Sequence, residues 1–211
     1  FRRAIDMDKG LKEAYFSMGE IFLRHELYDE AIRIFRDLVA LDPTDPRAHM
    51  SLASAYEMKG MIDEAVNEYA EAVRLKPEDV SALIQLGDAK AKNNNLTGAL
   101  EDYTDAITKN INSTEAYFKR GLIYTRLGNY SMAEKDFLKT ISLDRLFLAA
   151  HNNLAVIHYK EHRYALALRD CQKLLRINAK YPLVHFNMGV IYETIGDDQN
   201  ARKSYHRAVQ E

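Results

Sequence analysis

An alanine recurs every 34 residues along the whole chain, and this spacing constrains the fold more than any other feature of the sequence. Five of the six alanines are followed four positions later by an aromatic residue. The alanines are Ala31, Ala65, Ala99, Ala133, Ala167 and Ala201. A second column, twelve residues earlier, holds only glycine or alanine: Gly19, Ala53, Gly87, Gly121, Ala155 and Gly189. Self-similarity at a fixed period predicts an array of repeated structural units.

Each unit contains two apolar stretches with helical spacing. Tyr15, Met18 and Phe22 share one helical face in the first stretch, and Ala31 and Phe35 share one in the second. Between the stretches lies a turn column: Glu26, Gly60, Asn94, Gly128, His162 and Gly196. Glycine and asparagine tolerate the left-handed conformation that closes a helix. The pattern therefore predicts two antiparallel helices per unit, about thirteen helices in all and no strand.

Local signals predict where these helices begin. N-cap residues are expected before the second helices, at Asp29, Asp63, Thr97 and Ser131, with Ser131 and Glu134 forming a capping box. Asp45 before Pro46 suits the start of a first helix, and Pro182 has the equivalent place. The glycine and alanine columns should let the two helices of a unit approach closely, because their side chains are small. The aromatic residues should fill the gap between one unit and the next.

The columns as a set resemble the tetratricopeptide repeat family over the whole chain. The second unit carries the pattern most fully: Leu52, Ala53, Tyr56, Gly60, Ala65, Tyr69, Ala72 and Pro77. The resemblance implies an all-α, right-handed superhelical solenoid of antiparallel helix pairs. The repeats are placed at 12–45, 46–79, 80–113, 114–147, 148–181 and 182–211. Residues 1–11 match the end of a second helix, so we expect a fragment of a longer protein, and the polar last helix suits the end of an array.

Two polar residues depart from this pattern. Lys90 and Arg120 stand in columns where the family has Tyr and Leu. We expect each to extend its charge to solvent or to find an acidic partner. If the misfit is merely tolerated, Arg120→Leu should raise stability.

The resemblance also implies a function, since the family uses the concave groove lined by the first helices. We expect a protein–protein interaction module that binds a peptide or partner segment there, in the C-terminal half. The expected groove residues are Gln85, Phe118, Lys119, Leu122, Arg126, Asn152, Asn153, Val156, Tyr159, Lys160, Phe186, Asn187 and Val190. Asn153 and Asn187 resemble the rungs of an asparagine ladder that hydrogen-bonds a peptide backbone, with Gln85 as a weaker rung. No repeat has the first lysine of the family's carboxylate clamp, so that class of chaperone-tail binding is excluded.

Two alternatives stay open. The chain could be a structural scaffold that assembles through its surfaces or ends into a large complex or a homo-oligomer, which light scattering would detect. More remotely, it could be a substrate-recruiting arm of an enzyme whose catalytic domain lies elsewhere. Net charge is −2, with no block of like charge, so nucleic acid is not an expected partner. No apolar run is long enough to insert into a membrane.

Neither catalysis nor a cofactor is predicted. The sequence has no glycine-rich phosphate loop, no nucleophile elbow and no supported pair of carboxylates. His151, His158 and His162 have helical spacing, but they occupy packing columns, and no metal site is expected. The single Cys171 replaces an aromatic residue and should be buried and inert. A cytoplasmic location is expected. Glycosylation sequons at Asn95, Asn112 and Asn129 leave a lumenal or secreted location as the alternative.

Overall fold

The computed structural model describes residues 12–210, which form twelve α-helices and no strand. The helices are α1 Lys12–Arg24, α2 Tyr28–Leu41, α3 Pro46–Lys59, α4 Ile62–Leu75, α5 Val80–Lys92, α6 Leu96–Lys109, α7 Thr114–Arg126, α8 Tyr130–Leu143, α9 Leu148–Lys160, α10 Tyr164–Ile177, α11 Pro182–Thr194 and α12 Asp198–Gln210. The predicted all-α array of helix pairs is confirmed. The helix end predicted at 1–11 lies outside the described residues.

The chain divides into two compact units, Phe1–Ile111 and Asn112–Glu211. Helices α1–α6 belong to the first unit and α7–α12 to the second. Within each unit every helix packs against the next one along the chain. Neighbouring first helices also touch, as α9 and α11 do. Each unit is therefore a stack of three helix pairs around its own apolar core.

The turn between the two helices of a pair is the same in all six repeats. All six residues of the turn column have positive φ, from 59° at Glu26 and Asn94 to 85° at Gly60. The next amide then donates to the carbonyl five residues earlier, as Leu27 N does to Phe22 O at 2.9 Å. This is the Schellman pattern of helix termination. The left-handed turn predicted from Gly and Asn is confirmed, even where the residue is Glu26 or His162.

The predicted N-caps of the second helices are wrong by two residues. The caps are Leu27, Met61, Asn95 and Asn129, which directly follow the left-handed residue. Asp29, Asp63, Thr97 and Ser131 lie inside the first turn, so Ser131 cannot form a capping box. The error arose because Leu27 and Met61 cap with no side-chain hydrogen bond. The expected cap at Asp45 is confirmed, since its carboxylate accepts from Arg47 N at 2.9 Å.

The aromatic column packs against the glycine column of the same repeat. Phe35, Tyr103, Phe137 and Tyr205 each lie over the glycine of their own repeat. Their packing between repeats stays a prediction. A Cβ built on Gly121 would lie 2.7 Å from the Phe137 ring, and one on Gly19 would lie 2.3 Å from the Phe35 ring. A Cβ at these glycines would overlap the ring of the paired helix unless that ring moved.

Lys90 and Arg120 both pair with an acidic residue, which is one of the two outcomes expected from the sequence. Each partner lies on the second helix of the same repeat. Lys90 Nζ lies 2.8 Å from Asp102 Oδ2. Arg120 donates two hydrogen bonds to Asp136. Burial raises the pKa of Asp102 even though the Lys90 ammonium favours its charged form. These buried pairs replace apolar packing between the two helices without leaving a lone charge.

Candidate functional site

The first helices of the last two repeats enclose a pocket in the second unit. Its walls come from Ala155, Val156, Tyr159 and Lys160 of α9 and from Phe186, Asn187, Val190 and Ile191 of α11. Its volume is about 220 Å³. Six predicted groove residues meet here: Val156, Tyr159, Lys160, Phe186, Asn187 and Val190. Most of the wall is aliphatic or aromatic, so the pocket suits an apolar side chain.

Two hydrogen bonds between α9 and α11 flank this pocket. Asn187 Nδ2 donates to Asn152 Oδ1 at 2.8 Å, and the hydroxyls of Tyr159 and Thr194 lie 3.1 Å apart. Each bond joins a residue of one repeat to a residue of the next, 35 positions later. Both pairs sit on adjacent first helices, so they fix the spacing of the two walls.

The predicted asparagine ladder takes another form in the structure. Asn153 Nδ2 donates to Ala149 O of its own helix at 2.8 Å. The amide that partners Asn187 belongs instead to Asn152. The polar element beside the pocket is therefore a coupled amide pair, not two independent rungs. Gln85 is partly buried on α5, in the first unit.

Phe186 is the most exposed aromatic part of the wall, with 52% of its surface accessible. Its ring centroid lies 5.9 Å from that of Tyr205 on α12. The Tyr205 hydroxyl donates to Glu193 at 2.6 Å, and this bond to a carboxylate raises the pKa of Tyr205 to about 12. Tyr205 is thus held in place beside Phe186, and about half of the Phe186 side chain stays accessible.

The remaining predicted residues of this half lie on α7. Phe118 contacts Phe147 with ring centroids 4.8 Å apart and Phe137 with centroids 5.7 Å apart. Phe118 and Leu122 are partly buried against the core of this part of the unit. Lys119 is partly buried and Arg126 is exposed. None of these four side chains lines the α9–α11 pocket.

The first unit has a more polar groove. The column that carries Val156 and Val190 in the second unit carries Glu20, Ser54 and Asp88 here. Tyr103 OH donates to Asp88 at 2.6 Å. Tyr69 OH donates to Glu57 at 2.9 Å, and burial is the main reason that the pKa of Tyr69 is raised. The groove of the second unit is therefore better suited to bind an apolar side chain of a partner.

His151, His158 and His162 each contact a hydrogen-bonding group of the protein. His158 is buried, with Nδ1 2.6 Å from Asp170 and Nε2 3.2 Å from Glu134. His151 Nε2 lies 3.1 Å from the Arg145 carbonyl oxygen. His162 lies in the turn after α9, not on the helix face. No three potential metal ligands converge within residues 12–210. Over the same range, no helix has the length and apolar character to cross a bilayer.

Two family models match the sequence of these repeats. A model described as "Tetratricopeptide repeat" matches residues 1–46, 16–80 and 50–114, and a second with that description matches 114–145 and 183–210. The chain belongs to the tetratricopeptide repeat family, whose members typically act as non-catalytic protein-interaction modules. A comparison with curated proteins gave no match.

Solved structures share this fold. A tetratricopeptide repeat protein from Parabacteroides merdae is 19% identical with a TM-score of 0.83, over 95% of this chain and 79% of its own. A MamA protein is 24% identical with a TM-score of 0.73, over 80% of this chain and 92% of its own. YrrB is 23% identical with a TM-score of 0.71, over 87% of this chain and 95% of its own. At these identities the likeness concerns the fold.

Proposed function

We propose that this chain is a protein-interaction module that holds an extended segment of a partner protein in the groove of its second unit. The bound segment places one apolar side chain in the α9–α11 pocket. The observation that carries this proposal is the pocket itself, an apolar depression with an exposed aromatic wall at Phe186. Partly desolvated aromatic anchors beside polar groups are typical of peptide grooves.

The size of the pocket supports a peptide over a small molecule. Its volume of about 220 Å³ is below the range usual for small-molecule sites. Such a space suits one aliphatic side chain of a longer ligand. The rest of that ligand would lie along α9 and α11 and add its own contacts. YrrB, which has the same fold, is described as "a TPR protein with an unusual peptide-binding site".

Exposed apolar wall residues would also serve a second copy of the chain, the homo-oligomeric alternative. Light scattering over a range of concentrations distinguishes partner binding from self-association. The proposal expects a monomer whose mass does not change with concentration. If wild type is a dimer and Phe186→Ser is a monomer, this surface serves self-association instead.

Peptide selection tests the proposal directly. A phage-displayed library of random dodecapeptides is panned on the purified chain, and selected peptides are titrated by calorimetry. Val190→Asn puts an amide into the pocket and should weaken binding about 10- to 100-fold. Ser54→Asn is the matched control, because Ser54 is the same column in the first unit, and it should leave the affinity unchanged. Equal affinity for Val190→Asn and wild type would refute the proposed site.

A further inference from the structure

Lys160 is the only charged residue in the wall of the α9–α11 pocket. It lies on the last turn of α9, and its side chain is exposed. Within residues 12–210 no carboxylate forms an ion pair with it. The pocket thus combines an apolar interior with one cation that no described protein group neutralises.

The first unit shows what a lysine in this column does when a carboxylate is available. Lys92 stands two repeats before Lys160, at the same place on its first helix. Its ammonium pairs with Glu57 on the preceding first helix, 35 residues earlier. Thirty-five residues before Lys160 the sequence has Thr125 instead. The Thr125 hydroxyl donates to the Gly121 carbonyl of its own helix at 2.9 Å and carries no charge.

We propose that the segment bound at α9–α11 carries an acidic side chain next to its apolar anchor, and that this carboxylate pairs with Lys160 as Glu57 pairs with Lys92. The inference rests on the proposed function and adds the chemistry of the partner. The ligand class is an extended acidic–apolar peptide. A basic neighbour to the anchor is disfavoured, because it would place like charges together at the rim.

The Asn152–Asn187 pair also offers one acceptor and one donor to the backbone of this ligand. Asn187 Nδ2 is used by Asn152 Oδ1, which leaves Asn187 Oδ1 as an acceptor and Asn152 Nδ2 as a donor. No described residue occupies either atom. One peptide unit has one N–H donor and one carbonyl acceptor, so the pair can bind one unit of an extended chain. Because a backbone contact does not depend on the side chains of the ligand, the selectivity for peptide sequence comes from the pocket and from Lys160.

The probe is a pair of synthetic peptides from the dodecapeptide selection, amidated at the C-terminus so that every carboxylate is a side chain. One keeps the glutamate beside the apolar anchor, and the other has lysine in its place. Wild type should bind the glutamate peptide about 3- to 20-fold more tightly, and added salt should reduce the difference. Lys160→Glu should reverse the order of the two peptides.

A second variant tests the comparison with Lys92 without removing Lys160. Thr125→Glu supplies the carboxylate that Glu57 supplies in the first unit. Both Thr125→Glu and the neutral variant Lys160→Met should reduce the preference for the glutamate peptide. Thr125→Val is the matched control and should keep the preference. Circular dichroism melting of each variant verifies that the fold is intact.

The outcomes separate this inference from the proposed function. The inference would be overturned if the selected peptides lose affinity for Val190→Asn but bind equally well with glutamate or lysine beside the anchor. It would also be overturned if Lys160→Glu leaves the preference for glutamate unchanged. In both cases the pocket would remain the binding site. A peptide with a free C-terminal carboxylate and no glutamate that binds as tightly as the amidated glutamate peptide would assign Lys160 to a chain terminus and also overturn the inference. Selected peptides that are indifferent to Val190→Asn would overturn both.

Discussion

The guanidinium of Arg120 donates two hydrogen bonds of 2.8 Å to the carboxylate of Asp136 on the facing helix of the same repeat. Only 15% of the Arg120 side chain and 5% of the Asp136 side chain are accessible. The ring of Tyr117 lies 5.6 Å from the guanidinium carbon. A residue that departs from the family pattern is therefore a partner in a buried bidentate pair. This changes the expected effect of replacing it.

Arg120→Leu should destabilise the fold, contrary to the gain in stability expected if the arginine were merely tolerated. The substitution leaves the Asp136 carboxylate buried without its cation, which typically costs about 3–5 kcal/mol. Urea denaturation of wild type and variant measures the loss. The double variant Arg120→Leu/Asp136→Leu should recover most of it. Lys135→Met, on the exposed face of α8, should change stability by less than about 0.5 kcal/mol. Equal stability of the single variant and wild type would show that the pair contributes nothing.

Gly121→Ala should cost about 1–3 kcal/mol through overpacking, because the new Cβ would meet the fully buried Phe137 ring at 2.7 Å. The next repeat shows a compatible combination, with Ala155 in the glycine column and Cys171 in the aromatic column. Phe137→Leu should therefore suppress part of the cost of Gly121→Ala. Thermal unfolding of the single and double variants gives the coupling energy. Strict additivity would show that the glycine does not make room for the ring.

Cys171 should be unreactive in the folded protein. Burial, with the nearby Asp170 carboxylate second, raises the pKa of its thiol to about 12. Since the thiolate is the reactive form, a colorimetric thiol reagent at about pH 8 should label the chain only after guanidinium chloride is added. Stoichiometric labelling of the native protein would contradict the burial of this side chain.

The Asp42 carboxylate should titrate well below a normal aspartate. The hydrogen bond from Lys12, followed by those from Thr44, lowers its pKa from 3.8 to about 2. Because the pKa is lower in the folded state, this group favours folding above about pH 4, and its contribution is lost as the pH falls towards 2. Carbon-13 NMR titration measures the pKa directly. Lys12→Met should move it back towards 3.8, and an unchanged value would exclude Lys12 as the main cause.

The repeat spacing predicts the fold well, since each column has one structural role. The left-handed turns and the paired helices follow from column positions, whereas for Lys90 and Arg120 the columns left open whether each extends to solvent or pairs with an acid. The helix starts were missed because Leu27 and Met61 cap without a side-chain bond. Two of the three sequon asparagines, Asn95 and Asn129, are N-caps whose side chains accept a hydrogen bond from the first helical turn, which gives them a structural role.

The candidate site was predicted less completely than the fold. Val156, Val190 and Phe186 follow from the groove columns. Ala155 belongs to the small-residue column and Ile191 to no named column, and the structure places both in the pocket wall. The Asn152–Asn187 bond joins positions 35 residues apart, and a 34-residue column comparison pairs Asn187 with Asn153 instead. The position that a residue contacts on the next first helix depends on how the two helices pack, so it need not be 34 residues away. Sequence columns alone do not contain that information.

Photo-cross-linking most directly tests the central claim that the α9–α11 pocket holds an apolar side chain of the partner. A selected peptide with photo-leucine at its anchor position is irradiated in complex with the chain, and mass spectrometry maps the modified residues. We predict cross-links to Val156, Phe186 and Val190, which unlabelled peptide suppresses. Competed cross-links on α3 and α5, with none on α9 or α11, would contradict the claim.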